Sequence, residues 1–162
     1  MGGIRPASAA DLESICRIYD AAREFMHAHG NPTQWPGDYP GLVDAEEDLE
    51  RGALYVLDEG SGPVAAMSAL PGPDATYDVI EGEPWLNDEP YWVMHRLAVL
   101  EAGHGAGTRM LSWLCGLHDN LRADTHADNR PMQRTFERCG FVRRGTIYVE
   151  DGTPRIAYHY VA

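Results

Sequence analysis

The sequence contains no lysine, and all 13 of its basic residues are arginines. Without lysine the chain cannot form a Schiff base, which excludes most pyridoxal chemistry, and it cannot build a Walker-type phosphate loop. The 13 arginines face 25 acidic residues, for a net charge of −12 at pH 7. Because nucleic-acid binding needs cations that neutralise phosphates, this balance argues against DNA or RNA as partners. It favours solubility, and it would attract a cationic substrate such as an amine.

Long apolar runs are also absent. No stretch approaches the roughly 20 apolar residues that a membrane helix requires. The segment from Met1 to Pro6 lacks the basic and then apolar character of a signal peptide. We therefore expect a cytoplasmic protein that makes no membrane contact. With 162 residues, 44% of them apolar, the chain is predicted to form a single domain over residues 1–162.

Cysteine is scarce as well. Cys16, Cys115 and Cys139 are odd in number, far apart and without a CxxC spacing. Each falls in a segment predicted to be helical, where a thiol packs as a small apolar group. We expect reduced core cysteines rather than a disulfide, a nucleophile or ligands, and we predict that no metal is bound.

Apolar periodicity and turn residues predict eleven elements in the order β-α-α-β-β-β-α-β-α-β-β. Strands are expected at residues 4–6, 53–57, 64–70, 91–99, 121–127, 141–149 and 155–161, and helices at residues 12–26, 44–51, 108–117 and 131–139. Two loops rich in proline and glycine cover residues 27–41 and 71–90, and a loop as long as the second is usually functional or mobile. The predicted fold class is α/β (α+β), a mixed and mostly antiparallel twisted sheet of about seven strands flanked by about four helices.

A glycine-rich turn follows the strand predicted at residues 91–99. Gly103, Gly105 and Gly107 lead from this strand into the next helix. Such a turn presents backbone N–H groups at a helix N-terminus, where aligned amides and the helix dipole hold a phosphate. Glycine also lets a ligand approach the backbone closely. The spacing matches neither the Walker motif nor GxGxxG.

The order of these motifs resembles that of the GCN5-related N-acetyltransferase (GNAT) family. The family has a fourth strand, then Arg/Gln-x-x-Gly-x-Gly/Ala and a helix; here Ala102 to Gly107 follows Met94 to Val99. The family's later Asn and Tyr-Glu-Lys-x-Gly-Phe segment correspond to Asn129 and to Phe136 to Phe141, and the opening from Ile4 to Leu12 is similar too. The resemblance spans nearly the whole chain. It implies the GNAT fold, with a V-shaped splay of the sheet for acyl-CoA.

The resemblance also implies acetyl-CoA as the acyl donor. Backbone groups of the fourth strand would bind the pantetheine arm, the glycine-rich turn would wrap the pyrophosphate, and an asparagine at the end of the next strand would reach the cofactor. The residues assigned to the donor in this way are Leu97, Ala98, Val99, His104, Gly105, Ala106, Gly107, Thr108 and Asn129.

Two residues depart from the family pattern. Ala102 stands where the family has Arg or Gln, so one side-chain contact to the pyrophosphate is missing, and backbone amides or Arg109 would have to replace it. Phe136 stands where many members have the tyrosine that protonates the departing thiolate, and phenylalanine cannot donate a proton. The alternative to an active enzyme is therefore a catalytically weak or inactive acyl-CoA-binding or regulatory module.

Acyl transfer to an amine requires a base and, often, an acid. His95, just before the donor segment, is the first candidate base, since an imidazole titrates near pH ~6.5; alternatively it packs inside the sheet. Asp124 and His126 would share one face of a strand, where the carboxylate can orient the imidazole or form a structural pair. Tyr148 is the reserve candidate for the acid, unless it only packs.

Three aromatic residues lie in the proline-rich loops, where they either wall a substrate pocket or cap the core. They are Trp35, Tyr39 and Trp85. Together with the resemblance, they predict an acetyltransferase that acts on a primary amine of a small molecule or on a peptide N-terminus. We expect a monomer or a homodimer.

Overall fold

The computed structural model describes residues 2–162, in which the predicted order of strands and α-helices is confirmed. The strands are β1 (Gly3–Pro6), β2 (Leu54–Asp58), β3 (Pro63–Pro71), β4 (Trp92–Val99), β5 (Asn120–Thr125), β6 (Val142–Tyr148) and β7 (Pro154–Val161). The helices are α1 (Leu12–Ala28), α2 (Leu42–Glu50), α3 (Ala106–Leu117) and α4 (Arg130–Arg138).

The strands form a mixed sheet in the order β1-β2-β3-β4-β5-β7-β6. Strands β1 and β2, β2 and β3, β5 and β7, and β6 and β7 pair antiparallel. The pair β4 and β5 is parallel, with Trp92 opposite Leu121 and Val93 opposite Arg122. The expected fold class, a mostly antiparallel sheet of seven strands with four helices, is confirmed.

The chain divides into two compact units. The first consists of the residues up to Ala69 with His95–Met110, and the second of Leu70–Met94 with Leu111–Ala162. Each has its own apolar cluster. In the first, α1 and α2 pack on strands through residues that include Ile15, Ile18, Tyr19, Ala45, Leu54 and Val56. The second cluster is built on Tyr77, Val93, Ile147 and Ala157. The single-domain organisation stays a prediction.

Helix α1 shows how the sequence encodes one of these elements. Ile15, Ile18, Tyr19 and Ala22 recur at helical spacing, and all four are buried. Before the helix, the carboxylate of Asp11 accepts hydrogen bonds from the Ser8 amide (2.8 Å) and the Arg5 guanidinium (2.7 Å). The hydrogen bonds from Arg5 hold the pKa of Asp11 at about 2. The start of the helix and its buried face are thus both set by local sequence.

Several element boundaries differ from the prediction by one or two residues, and two of these differences have a clear local cause. Helix α2 begins at Leu42, not at residue 44, because Gly41 is its N-cap and donates its amide to the Asp44 carboxylate (2.8 Å). Strand β5 ends at Thr125, not at residue 127, because a turn begins at His126. The segment 71–90 is also not structureless, since it contains a 3₁₀ turn at Ala75–Tyr77.

The three cysteines form no disulfide and are partly buried. Cys16 lies in α1, Cys115 in α3 and Cys139 at the end of α4. Within residues 2–162, no helix is long and apolar enough to cross a membrane. Over the same range, no three His, Cys, Asp or Glu side chains cluster so as to hold a metal ion.

Candidate active site

The glycine-rich turn places the first amides of α3 in an open position. Gly103 and Gly105 have φ angles of +87° and +75°, which L-residues with side chains rarely adopt. The first four N–H groups of a helix lack intrahelical acceptors as a rule. The Arg109 amide, in the first turn of α3, donates to the Gly105 carbonyl (3.0 Å). A Cβ added to either glycine would meet no atom within 4 Å. The turn therefore fits a phosphate at the positive end of α3.

The segment predicted to bind the pantetheine arm lies against the start of α3. A Cβ added to Gly107 would be 3.7 Å from the Val99 side chain and 3.8 Å from that of Leu97. Ala98 is buried and Leu97 and Val99 are partly exposed. These are ordinary van der Waals distances, so the first turn of α3 lies directly over this strand segment with room for a methyl group at position 107. The roles of Leu97, Ala98 and Val99 as donor-binding residues stay predictions.

A cleft of about 290 Å³ opens beside the glycine-rich turn. Its apolar wall includes Leu57, Val64 and Leu100, and its polar rim includes His104, Gly105, Ala106 and Arg109. One ion pair and one further polar contact lie on this rim. The Arg109 guanidinium pairs with Glu59, and His104 Nε2 lies 3.3 Å from a Glu101 carboxylate oxygen. Since Glu59 already engages Arg109, backbone amides are the better replacement for the side chain missing at Ala102.

Arg96 marks an irregular point in β4, directly after His95. Its φ of +52° is the only positive value for a non-glycine residue within residues 2–162. Its guanidinium lies 2.7 Å from both carboxylate oxygens of Asp48 and donates to the Tyr39 hydroxyl (3.0 Å). Asp48 is buried and also accepts a hydrogen bond from Ser68. Such a network can offset the cost of the unusual backbone conformation at Arg96. It fixes the part of β4 that follows His95, the candidate base on the same strand.

The other candidate catalytic residues lie in the second unit. Asp124, on β5, is partly exposed and accepts a hydrogen bond of 2.7 Å from the Tyr77 hydroxyl. His126 follows the strand, and its Nδ1 accepts from the Asp128 amide (3.0 Å). Tyr148, on β6, is 43% exposed and donates to Glu81 (2.7 Å). This hydrogen bond raises the pKa of Tyr148, which weakens it as an acid.

Asn129 caps helix α4. Its side-chain oxygen accepts from the Met132 amide (3.1 Å), and only 8% of the residue is exposed. Such a cap satisfies one of the first amides of the helix and fixes its start. Its predicted contact with the cofactor is untested.

The loop aromatics are placed differently from one another. Trp35 is buried in the core of the first unit, edge-on to Tyr19 with ring centroids 6.3 Å apart. Tyr39 is 40% exposed. Trp85 is partly buried and donates its indole N–H to the Tyr77 carbonyl (3.0 Å). Exposure makes Tyr39 the most suitable of the three for a ligand, and the substrate-binding role of all three stays a prediction.

Phe136 is fully buried in a stack of aromatic rings. Its ring centroid lies 4.7 Å from that of Tyr158 and 5.1 Å from that of Phe141. The Tyr158 hydroxyl is also buried and finds no hydrogen-bond partner within residues 2–162. Position 136 therefore serves packing in this chain and offers no proton.

Sequence reasoning missed an aromatic cluster that ties the segment 71–90 to the sheet. The Arg122 guanidinium lies between the rings of Trp85 (4.4 Å) and Tyr91 (4.1 Å) and donates to the Asn87 carbonyl (2.8 Å). Buried His159 accepts from the Leu86 amide (3.0 Å). The available signal was the alternation of Arg122 and Asp124 on one strand, which puts both on one face. The side chains that contact these two residues are Tyr77, Trp85 and Tyr91, which are distant from them in sequence.

The chain is similar to known acetyltransferases. Phosphinothricin N-acetyltransferase of Streptomyces viridochromogenes is 29% identical over 157 residues, which cover 89% of this chain and 76% of the relative. The crystal structure of a GNAT-family acetyltransferase from Streptococcus agalactiae has a TM-score of 0.92 at 26% identity and covers 99% of this chain and 95% of its own. AAC(6′)-Ib, solved with ribostamycin and coenzyme A, has a TM-score of 0.65 at 20% identity, with coverage of 99% and 93%, and shows the fold alone.

The family model described as the acetyltransferase (GNAT) family matches residues 12–141. These residues contain the glycine-rich turn, β4, Asn129 and Phe136, on which the resemblance in the sequence rests. The chain belongs to the acetyltransferase (GNAT) family, and the protein is an acetyltransferase.

Proposed function

We propose that this protein transfers the acetyl group of acetyl-CoA to a primary amine of a small molecule, with a peptide N-terminus as the alternative acceptor. The observation that carries the proposal is the open glycine-rich turn at the start of α3, in a chain that matches the family model over residues 12–141. The relative named phosphinothricin N-acetyltransferase supports an amine acceptor. The neighbour solved with coenzyme A and ribostamycin shares the fold on which this donor and acceptor class are proposed.

The donor is held mainly by backbone groups in this proposal. Amides from His104 to Thr108 bind the pyrophosphate, and the segment Leu97 to Val99 bonds the pantetheine arm. Asn129 reaches the cofactor from the start of α4. Acetyl-CoA supplies the activated acyl group. A chain without lysine suits this arrangement, because amides need no ammonium group to bind a phosphate.

A few side chains are candidates for transferring protons in this reaction. His95 is the proposed base, and Asp124 and His126 are the other candidates. With Phe136 buried and Tyr148 bonded to Glu81, neither of these two positions offers a strong acid for the thiolate. Coenzyme A can leave as an anion, since an unperturbed thiol has a pKa near ~8.5. We therefore expect a reaction slower than one with a general acid, which typically contributes 10²- to 10⁴-fold.

The net charge of −12 supports an acceptor that is cationic and small, and argues against nucleic acid. We place the protein in the cytoplasm, as a monomer or a homodimer, and without membrane contact. No metal takes part in the proposed reaction.

The test is acetyl-CoA-dependent release of free thiol across amines, polyamines, amino acids and amine-containing antibiotics. Release with at least one acceptor is the expected result. The packing role of Phe136 favours one rival, a catalytically inactive acyl-CoA-binding module. That rival predicts that calorimetry detects acetyl-CoA binding while no amine in the panel gives thiol release.

The donor site can be tested separately with Gly105→Val. The new side chain would occupy the space where the phosphate should lie, on a backbone with φ of +75°. We expect the affinity for acetyl-CoA to fall at least about tenfold, ~1.4 kcal/mol, in calorimetry. The matched control is Gly152→Val, in the β6–β7 turn, where φ is +83° and the added Cβ also meets no atom. Unchanged affinity in Gly105→Val would place the pyrophosphate elsewhere.

A further inference from the structure

The cleft beside the glycine-rich turn carries a carboxylate next to the place where the donor's phosphates are proposed to bind. All residues that line this cleft belong to the first compact unit. Glu59 lies on the lining together with Gly105, Ala106 and Arg109 from the start of α3. The positive end of a helix favours an anion, whereas a second negative charge beside that anion opposes its binding. The proposed donor site by itself therefore gives no role to Glu59.

The turn between β2 and β3 holds the backbone around Glu59 in place. The Asp58 carboxylate accepts hydrogen bonds from the amides of Gly60 (2.8 Å) and Gly62 (3.1 Å). The same carboxylate pairs with the Arg5 guanidinium (3.0 Å). The Glu59 side chain thus starts from a fixed point at the edge of the cleft.

Arg109 reaches toward the same end of α3. It stands three residues after Ala106, the first residue of the helix, which corresponds to a rise of about 4.5 Å. Side chains of a helix lean toward its N-terminus, so an arginine at this position can bring its guanidinium back beside the first amides. In the structure this guanidinium pairs with the Glu59 carboxylate. The ion pair therefore lies next to the amides that are proposed to bind the pyrophosphate.

This ion pair is exposed, in contrast to the pair of Arg96 with Asp48. The side chains of Arg109 and Glu59 are 50% and 48% exposed, whereas that of Asp48 is 2% exposed. An exposed pair of this kind contributes little to stability and is screened by salt. The guanidinium fork matches a phosphate as well as it matches a carboxylate. A donor phosphate and Glu59 can therefore compete for Arg109.

We propose that Glu59 limits the affinity for acetyl-CoA by competing with the donor's pyrophosphate for Arg109. The inference rests on the proposed function and deepens it, because it names a residue that regulates the proposed donor site. When the pyrophosphate binds Arg109, the pair with Glu59 must break, so one ion pair replaces another and the net gain is small. The Glu59 carboxylate, left beside the phosphates, adds repulsion. A limited affinity also helps coenzyme A to leave after each transfer, since it carries the same pyrophosphate.

The test is calorimetry of acetyl-CoA binding to Glu59→Gln, with and without Arg109→Gln. With Arg109 present, Glu59→Gln should lower the Kd about three- to tenfold, because the freed guanidinium forms a hydrogen bond to a charged group. In the Arg109→Gln background the same change should lower the Kd less than about twofold, because it relieves only screened repulsion between exposed charges. The gain thus depends on the arginine.

The matched control is Glu101→Gln. It removes the same charge from the same rim, but Glu101 contacts His104 and no arginine. Its Kd for acetyl-CoA should stay within about twofold of the wild-type value. An equal gain in Glu101→Gln and Glu59→Gln would assign the effect to the charge of the rim and overturn the competition for Arg109.

A second ligand separates the phosphates of the donor. Acetyl-dephospho-CoA lacks the 3′-phosphate and keeps the pyrophosphate, so Glu59→Gln should raise its affinity by the same factor as that of acetyl-CoA. Coenzyme A without the acetyl group should respond in the same way. A gain that disappears with the dephospho compound would overturn the assignment of Arg109 to the pyrophosphate.

The outcomes for this inference and for the proposed donor can be told apart. If the wild type binds acetyl-CoA and Glu59→Gln binds it equally or more weakly, only the competition by Glu59 is overturned. The same gain with and without Arg109 overturns it as well. If neither the wild type nor any variant binds acetyl-CoA, the proposed donor fails, and the inference fails with it.

Discussion

Arg96 and Arg122 each fix a proline-rich loop, one in each compact unit, but by different interactions. Arg96 is held by the two oxygens of buried Asp48 and reaches Tyr39 in the segment 29–41. Arg122 has no carboxylate partner within residues 2–162 and lies between Trp85 and Tyr91. Its Nε is buried without a hydrogen-bond partner in that range. Burial accordingly lowers the pKa of Arg122.

The two arrangements differ in what they leave for chemistry. In the first unit the Asp48 carboxylate is paired with the Arg96 guanidinium, so the role of Asp48 is structural. In the second unit aromatic rings hold the arginine, and the nearby Asp124 carboxylate accepts a hydrogen bond from the Tyr77 hydroxyl (2.7 Å). A buried ion pair is strongly destabilised by the loss of either partner. The aromatic cluster around Arg122 depends instead on burial and on His159 being neutral.

The largest effect on stability is expected for Asp48→Asn. The change leaves the Arg96 charge without its partner in a mostly buried place, where breaking such a pair costs about 3–5 kcal/mol. The measurement is chemical denaturation. The control is Asp20→Asn, which breaks the surface pair with Arg23 and should cost less than ~1 kcal/mol. Equal losses in the two variants would remove the distinction drawn between a structural and a surface aspartate.

The second unit should respond to pH through His159. Its pKa of about 4 lies below the unfolded value of 6.5, so the unfolded chain binds a proton that the folded chain does not between these values. Stability is therefore present above pH 6.5 and is lost as pH falls toward 4. We expect this residue to account for about 2 kcal/mol lost between pH 7 and pH 5.

The check is denaturation of the wild type and His159→Gln at both pH values. Glutamine does not titrate, so the variant should lose less stability on acidification by that amount. The same loss in both proteins would assign the acid sensitivity to other groups.

The smallest effect is expected for Tyr39→Phe. It removes one neutral hydroxyl from an exposed place beside Arg96, and should cost about 1 kcal/mol or less. Denaturation of the variant against the wild type measures it. A loss of stability as large as that of Asp48→Asn would mean that the Tyr39 hydrogen bond stabilises this network as much as the buried Arg96–Asp48 ion pair does.

The helices and strands could be predicted from local sequence, whereas the contacts between residues distant in sequence could not. Helix α1 could be predicted because its apolar spacing and its start signal lie within 20 residues. The start of α2 was missed, since Leu42 and Val43 are 50% and 67% exposed and show no apolar face. Asp124 could be named as a candidate from its strand alone. Its donor Tyr77 could not, because 47 residues separate the two and the segment between Pro71 and Pro90 has no periodicity.

The half-buried cysteines have a consequence for a protein that handles a thioester. Thiol–thioester exchange with the donor would place the acetyl group on the protein itself, and it requires a thiolate. Burial raises the pKa of Cys115 to about 12, and burial also raises that of Cys16. At pH 7 only roughly one Cys115 thiol in 10⁵ is ionised. The burial of Cys16 and Cys115 in their helices therefore disfavours acylation of these two thiols by a thioester, and the absence of lysine leaves no lysine side-chain amine to be acetylated.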